Sequence, residues 1–579
     1  MSNPRPRRRP APARLWPLAA ALTAGCVGPL GPMEGDAGRA LAPERTRRLE
    51  RLSLDQFRAA PPAPPPADAP SGLTVPPARL ASATAELSLD RVRADVLANN
   101  LDLKVALLDP SIASEARRAE EAKFEAVFRP FLRYVNLDNP TFDTTTPNQQ
   151  DQVSGGAGVS IPLRTGGRVS VDYTSDRVNA PNPFILFPTS YDAGLTFSLS
   201  HPLLRGAGRD ATMASIRIAA YNEQIAEART KLQVIALLAN ADRAYWTLYA
   251  ARRELEVRQQ QFEVAREQLA KAERRVRAGE AAEIEITRAQ SGAAERLEAI
   301  IRAENAVLLA QRNLKRLINR GDMDLSAGTT LLTTTQPAPA PFDFDGAQLC
   351  ALAAANRMEL LEAEVQLLAD SVNVDLARNN ALPILNFEGS YSFNGLATTF
   401  SGAQESLGER RFQSFSAGLS AEVPIGNQAA EARLRQAILT RLRQLGTRDA
   451  REQTVRQEVL DAIDRVGAAW QRILAARQAA ILAGRTLEGE QRQFDAGVRT
   501  STDVLDAAAR LADAQSAEIR ALADYEISIV DLSIATGTVL GAAKVEWQPL
   551  GPALLQRQAD AARREEAKRN PPALGPAGP

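Results

Sequence analysis

One histidine, His201, and two cysteines, Cys26 and Cys350, serve a chain of 579 residues. So few soft ligands and thiols leave little from which to build a metal centre or a thiol catalyst. The serines, aspartates and glutamates fall into no catalytic pattern either, and the chain reads as a non-enzyme with no cofactor. Lys+Arg and Asp+Glu balance at 69 each, so no basic excess argues for a nucleic-acid partner. Past the first 25 residues there is no apolar 20-mer, which excludes an ordinary membrane-spanning helix.

What the N-terminus does have is an export signal. Arg5, Arg7, Arg8, Arg9 and Arg14 precede the short apolar run Leu15–Gly25, too brief to span a bilayer. The run ends Leu22-Thr23-Ala24-Gly25-Cys26, which resembles a lipobox with Thr23 in place of an aliphatic residue. Two readings follow: an ordinary signal peptide over 1–25, or one that leaves Cys26 acylated as the first mature residue. Residues 26–87 are rich in proline and alanine, with Pro61-Pro62-Ala63-Pro64-Pro65-Pro66 at the centre. They read as an extended tether. The tail at 541–579 has a similar character, and Cys350 beside Leu349 and Leu352 reads as a buried structural thiol.

The body of the chain is written twice. Gly279 and Gly497, 218 positions apart, each interrupt a long helical pattern and precede a new amphipathic helix. Ala98-Asn99-Asn100-Leu101-Asp102-Leu103 recurs as Ala355-Asn356-Arg357-Met358-Glu359-Leu360. A fixed-offset repeat fixes the architecture before any element does. The repeats are read as 88–319 and 348–540, joined by a linker at 320–347. Each holds a first helix (about 88–127 in the first), strands, a long helix and a shorter one. The long helices are expected at about 209–277 and 428–495, the shorter at about 281–319 and 499–536. At 1.5 Å per residue the long ones reach ~100 Å, which two short ones stacked end to end would match. Leu248, Leu255, Phe262, Leu269 and Val276 form one seven-residue seam; Val459, Val466, Ile473, Ala480, Leu487 and Phe494 form the other. Such seams drive coiled-coil packing.

Between the helices the sequence alternates. Val153, Gly155, Ala157, Val159 and Ile161 interleave with polar or small residues, as do Val169, Val171, Tyr173 and later Leu195, Phe197, Leu199. The second half offers Leu385, Phe387, Tyr391, Phe393, then Phe415, Leu419, Ala421, Val423. Ten-residue alternating segments suit a membrane barrel with one face in lipid, and equally an ordinary half-buried sheet. Between Pro130 and Pro202 the first half carries 31 residues more than the second does between Pro383 and Pro424. Helices that enter and leave on one side require an even strand number per half. Four strands and two are therefore expected, the runner-up being two and two with 140–189 as an external loop.

Several pieces then resemble the outer membrane efflux protein family, the TolC-like channels: Pro202-Leu203-Leu204-Arg205-Gly206, the paired glycine turns, Ser501-Thr502-Asp503-Val504-Leu505-Asp506, and Ala535-Thr536-Gly537. The resemblance covers about 88–540. It implies an α+β membrane protein in which a trimeric β-barrel is continued by a long α-helical coiled-coil barrel, with two internal structural repeats per protomer. It implies a passive export duct across the outer membrane and periplasm of a Gram-negative bacterium. The duct would be one part of a tripartite efflux or type I secretion system. The partners implied are two further copies of the chain, outer-membrane lipid, a periplasmic adaptor (membrane fusion) protein and an inner-membrane pump of RND or ABC type. The barrel would have 12 strands in the family's usual form, or 18 if the extra hairpin joins. The alternative is a structural coiled-coil lipoprotein that spans the envelope.

The resemblance also assigns residues. Gly279, Gly497, Val498, Thr500 and Ser501 fall at the adaptor-docking tips, and Asp503 and Asp506 match acidic residues ringing the periplasmic entrance. Asp503 and Thr502 are equally placed to cap a helix start. Arg499 matches an arginine that locks the closed tip. Phe494 replaces a tyrosine, and Ile284-Glu285 replaces a Thr-Asp pair. With no hydroxyl on Phe494, the lock is expected to rest on an Arg499–Glu285 ion pair, with Glu283 nearby in the first copy.

Overall fold

The computed structural model describes residues 84–545 apart from 139, 141–146, 182–185, 324 and 326–327. The signal peptide, Cys26, most of the tether and most of the tail lie outside the described residues.

Strand β1 (Thr84–Leu87) opens the described chain and pairs in parallel with β6 (Thr330–Thr333). The tether therefore ends earlier than its composition implied, and the linker contributes a strand to the same two-stranded sheet. Four residues are too few for alternation to be read, and the partners are 246 positions apart. Leu87 and Leu331 are almost wholly buried between the flanking helices, and this fixes the pairing.

The single first helix expected at 88–127 is three: α1 (Leu89–Asn99), α2 (Leu101–Ala106) and α3 (Asp109–Glu121). Asn100 breaks the first pair. Its backbone is extended, and its side chain accepts from the Leu103 N–H at 2.9 Å, capping α2. Its amide also donates to the Leu317 carbonyl at 3.0 Å. The second repeat breaks at the matching residue, Arg357, between α7 (Gly346–Asn356) and α8 (Met358–Asn380). The Arg357 guanidinium donates to the Ile534 and Ala535 carbonyls at 3.4 and 3.3 Å. Both break residues therefore satisfy carbonyls that the end of a helix leaves without an intrahelical donor.

The other helices stand close to their sequence positions. A short α4 (Arg209–Thr212) leads into α5 (Ala214–Arg277), which with α10 (Gln428–Asp495) forms the long pair of 64 and 68 residues. The shorter α6 (Ile284–Ile318) and α11 (Ser501–Ala535) have 35 residues each. A small α12 (Val539–Ala542) follows. The seams are buried where helices meet: Leu248, Leu255 and Phe262 on α5; Val459, Val466 and Ile473 on α10. Where α1, α5, α6 and the β1–β6 pair converge, Tyr245 and Trp246 anchor the largest core. The buried Tyr245 hydroxyl donates to the Leu87 carbonyl at 3.2 Å and accepts from the Thr335 N–H at 2.8 Å. The carboxylate of Asp242 is forked by Arg93 at 2.9 and 2.7 Å. That hydrogen bond holds the guanidinium's pKa above its usual range.

The remaining strands form one antiparallel sheet: β2 (Val127–Asp138), β3 (Gln149–Pro162), β4 (Arg168–Asn179), β5 (Thr189–Pro202), β7 (Ile384–Ala397) and β8 (Phe412–Glu422), hydrogen-bonded in that order. Four strands lie in the first repeat and two in the second. The segment 140–189 is not an external loop, because β3 is bonded to β2 on one side and β4 on the other. A short α9 (Phe400–Gly408) connects β7 to β8. It lies so close to the sheet that a Cβ on Gly395 would come within 2.3 Å of the Ala403 carbonyl.

Candidate functional site: a two-faced sheet and twin helical tips

The pairing register sorts the sheet's side chains into rows. One row reads Phe128, Val159, Val171, Phe197, Tyr391, Phe415, straight across all six strands. One residue along, on the opposite face, the row reads Val127, Ser160, Ser170, Ser198, Ser390, Ser416. Successive residues of a strand point to opposite faces. One face is therefore mainly apolar, interrupted toward its far rows by Ser175, Arg177 and Gln413, and the other mainly polar. The apolar face runs along β7 from Phe387 to Ala397, ten residue steps, and α9 packs over its Gly395–Ala397 end. At ~3.3 Å each and a ~40° tilt, that is about 25 Å of height, the thickness of the apolar band of transmembrane barrels. The row of Ala397 holds Tyr191, Arg177, Val153 and Tyr134, aromatic and charged residues of the kind found where a barrel wall meets water.

At the opposite end of the molecule are the two glycine turns. Gly279 and Gly497 both have φ of +76°. The Gly279 N–H donates to the Val276 carbonyl at 3.0 Å and the Glu280 N–H to Arg275 at 2.9 Å. In the second copy, Gly497 donates to Phe494 and Val498 to Gln493, both at 3.0 Å. Both are Schellman caps, which need a residue in the left-handed region at this one position. Space is not the constraint, since a Cβ at either glycine would meet nothing within 4 Å.

The two helix restarts differ. Helix α6 has no side-chain cap at Glu283. Helix α11 has a full capping box: the Thr500 hydroxyl accepts from the Asp503 N–H at 3.4 Å, and the Asp503 carboxylate accepts from the Thr500 N–H at 2.9 Å. The Thr500 N–H, followed by its hydroxyl, holds the Asp503 carboxyl below its usual range. The N-cap is therefore Thr500, not Thr502 or Asp503 as the sequence implied, and Asp503 serves as the third helical residue of the box. Asp506 is exposed one turn further on, and Val498 is 74 % exposed at the tip.

The expected Arg499–Glu285 pair does not form within the chain. Arg499 turns back onto its own hairpin, 3.3 Å from Glu490 and 3.1 Å from the Gln493 side-chain oxygen. Glu285 is taken by Arg288 at 2.8 Å and by the hydroxyl of Ser501, which is fully buried and donates at 2.5 Å. The Ser501 hydroxyl, ahead of Arg288, draws the Glu285 carboxyl below its usual range. A neighbour one turn away on the same helix reaches Glu285 more readily than an arginine across the turn.

Phe494 is buried, and its ring takes two cations: Lys271 Nζ lies 5.1 Å and Arg275 Cζ 5.0 Å from its centroid. Lys271 also pairs with Asp495. The position that lacks a hydroxyl is held by cation–π contact instead. Sequence reasoning missed Lys271, Arg275, Arg288 and Glu490. Lys271 and Arg275 are one helical turn apart, but nothing local marks Phe494, more than 200 residues on, as their partner.

A sheet suited to lipid on one face, continued by paired helical hairpins that end in twin tips, defines the class: an outer-membrane protein with a long helical extension. The profile of the outer membrane efflux protein family matches residues 185–320 and 349–538, more than half of the chain, and the chain belongs to that family. Family members are channel proteins of the Gram-negative outer membrane with a periplasmic helical domain, and this is where the chain resides. Outer membrane protein TolC of Vibrio cholerae is 27 % identical over 307 residues, 52 % of this chain and 68 % of that protein. The fold is shared with the CmeC outer membrane channel of Campylobacter jejuni, with a TM-score of 0.59, 16 % identity, and 78 % of this chain and 86 % of that one covered. The MtrE outer membrane channel of Neisseria gonorrhoeae gives 0.55, 17 %, 78 % and 89 %. The family match begins at 185, beyond β4, so the extra hairpin falls outside it.

Proposed function

We propose that three copies of this chain form a passive export duct, the outer-membrane component of a tripartite efflux or type I secretion system. One observation carries the reading: a sheet with a mainly apolar face ends in two edges, β2 and β8, that are unpaired among the described residues. Edges with unbonded backbone groups are not tolerated in lipid, so the sheet must close with further copies. Six strands are too few to close alone. The helical hairpins of three copies would then continue the barrel as a tunnel. Exposed apolar residues on the first half of α10, such as Leu439 and Leu442, supply surface for helices of a neighbouring copy.

The tips at Gly279 and Gly497 are the surface offered to a periplasmic adaptor, with Val498 and Thr500 on the second; Ser501, buried against Glu285, falls outside that surface. The closed state is held at the Glu285–Ser501 bond and the Phe494 cation clamp. Asp506 and the outer oxygen of Asp503 contribute carboxylates to the entrance. Energy comes from an inner-membrane pump reached through the adaptor. An envelope-spanning spacer would have no use for a lipid-facing sheet.

The test is the full-length protein, purified from membranes, its mass measured in detergent and its conductance in planar bilayers. A trimer with discrete channel events is expected; monomers without channels overturn the reading. Crosslinking in cells followed by purification identifies the adaptor and pump.

A further inference from the structure

The six-stranded sheet is not a rectangle. Following the register from β2 to β8, the end far from the helices steps back by seven residues: Phe412 lies in the row of Phe131, while β2 runs on to Asp138. The near end steps the same way by six, since the row of Val127 meets β8 at Ser416 and β8 runs on to Glu422. Six to seven residues of ~3.3 Å against five strand spacings of ~4.8 Å make a slope of roughly 40°. Transmembrane barrels tilt their strands by about 35–45°. One chain thus already carries the stagger that a closed barrel requires, with β3 and β4 as part of it.

The two edges also fit each other. β2 runs away from the helices and β8 runs toward them, so they meet antiparallel. Their apolar residues lack neighbours: Leu132 is 82 % exposed, Phe415 83 % and Leu419 67 %. On the apolar face β2 presents Phe128, Pro130, Leu132 and Tyr134, and β8 presents Phe415, Ala417, Leu419 and Ala421. A seam must keep apolar residues opposite apolar residues, because a slip by one turns every side chain to the wrong face. The sheet steps by a little over one residue per strand. Carried across the seam, that step brings Asp138 of a second copy opposite Gln413, the nearest position on the matching face.

We infer that β8 of one copy pairs with β2 of the next in this register, with Leu419 opposite Leu132, Ala417 opposite Tyr134 and Ala421 opposite Pro130, closing an 18-stranded barrel. The inference rests on the trimeric duct reading and deepens it. At Ala417–Tyr134 a bulky residue meets a small one, and at Leu419–Leu132 two apolar side chains cover each other. Barrel diameter grows roughly linearly with strand number, so this one is about one and a half times as wide as 12 strands would give.

The test is disulfide trapping in the full-length protein, in its membrane, with Cys350→Ser as background. Opposed residues of antiparallel strands sit about 4.5–5.5 Å apart at Cα, within disulfide reach, whereas diagonal ones at ~7–8 Å are not. Within one chain β2 and β8 are five spacings apart, ~24 Å, so any bridge joins two copies. Leu132→Cys with Leu419→Cys should give covalent dimers and trimers on mild oxidation. Leu132→Cys with Ala417→Cys or with Ala421→Cys should not, and a bridge in either overturns the register. Trimers of normal mass that form no bridge in any combination overturn the seam and leave the duct reading standing; loss of the trimer in the unsubstituted protein removes both. Electron cryo-microscopy of the unsubstituted trimer reads the same seam without substitutions, and a barrel of 12 strands there rejects it.

Discussion

The hydroxyl of Ser501 donates to the carboxylate of Glu285 at 2.5 Å, joining the first turn of α11 to the first turn of α6. Ser501 is fully buried, so water cannot replace the bond. Hydrogen bonds to charged groups contribute about 1.5–3 kcal/mol, and the partial exposure of Glu285 puts this one at the lower end. Ser501→Ala should therefore shift the closed–open balance of the duct by up to about tenfold toward open. Arg499→Ala should move it far less, because Arg499 is committed to Glu490 in its own hairpin. Single-channel open probability of the two variants decides this; equal effects would restore a lock centred on Arg499.

Phe494 ties α10 to α5 through Lys271 and Arg275. Phe494→Leu keeps an apolar side chain and loses the ring face, at a cost of about 1–2 kcal/mol for two partly desolvated cation–π contacts. Faster amide exchange is expected in the last turns of both long helices, with the sheet unchanged. Phe494→Trp should preserve protection if the ring face matters. Loss of protection in both variants would instead assign the effect to packing.

The twin glycines are required for backbone conformation alone. An alanine at φ of +76° costs about 1–2 kcal/mol. Gly279→Ala and Gly497→Ala should each lower stability by that amount in thermal melts, and asparagine at either position should cost less. A larger loss for one glycine would point to a contact made only in the assembled duct.

Glu526 lies half-buried beneath the segment after β6 and accepts from the Ala338 N–H at 2.9 Å. Burial pushes its carboxyl above the usual range, against the opposing effect of that hydrogen bond. A raised carboxyl pKa means the folded state favours the protonated form, so the penalty appears as pH rises through the folded pKa and is absent below the unfolded one, about 4.3. Glu526→Gln, which stays neutral, should raise the melting temperature at pH 8 and leave it unchanged near pH 4. The same increase at both values would exclude ionisation as the cause.

Helix ends and turns were legible because their causes are local. Glycine at 279 and 497 forces the left-handed turn whatever the surroundings, and seven-residue seams reveal which side of each helix is covered. The matching hexapeptides at 98–103 and 355–360 marked equivalent places, yet the pattern read as continuous helix. Asn100 and Arg357 break it because each finds helix-end carbonyls more than 170 residues away. A four-residue strand such as β1 is equally silent until its partner is known.

Sequence by itself determined the periodicities: two hairpins of heptad helices, alternating strands, a chain without the ligands for metal or thiol chemistry. These follow from spacing along one chain, which backbone geometry converts directly into faces. The tertiary structure alone decided who meets whom. It gave Glu285 to Ser501 rather than Arg499, set two cations on the ring of Phe494, and drew β3 and β4 into the sheet with the stagger of a barrel. Those choices depend on which distant groups arrive first within hydrogen-bond reach and which surfaces remain to be covered, and no spacing within the chain records that.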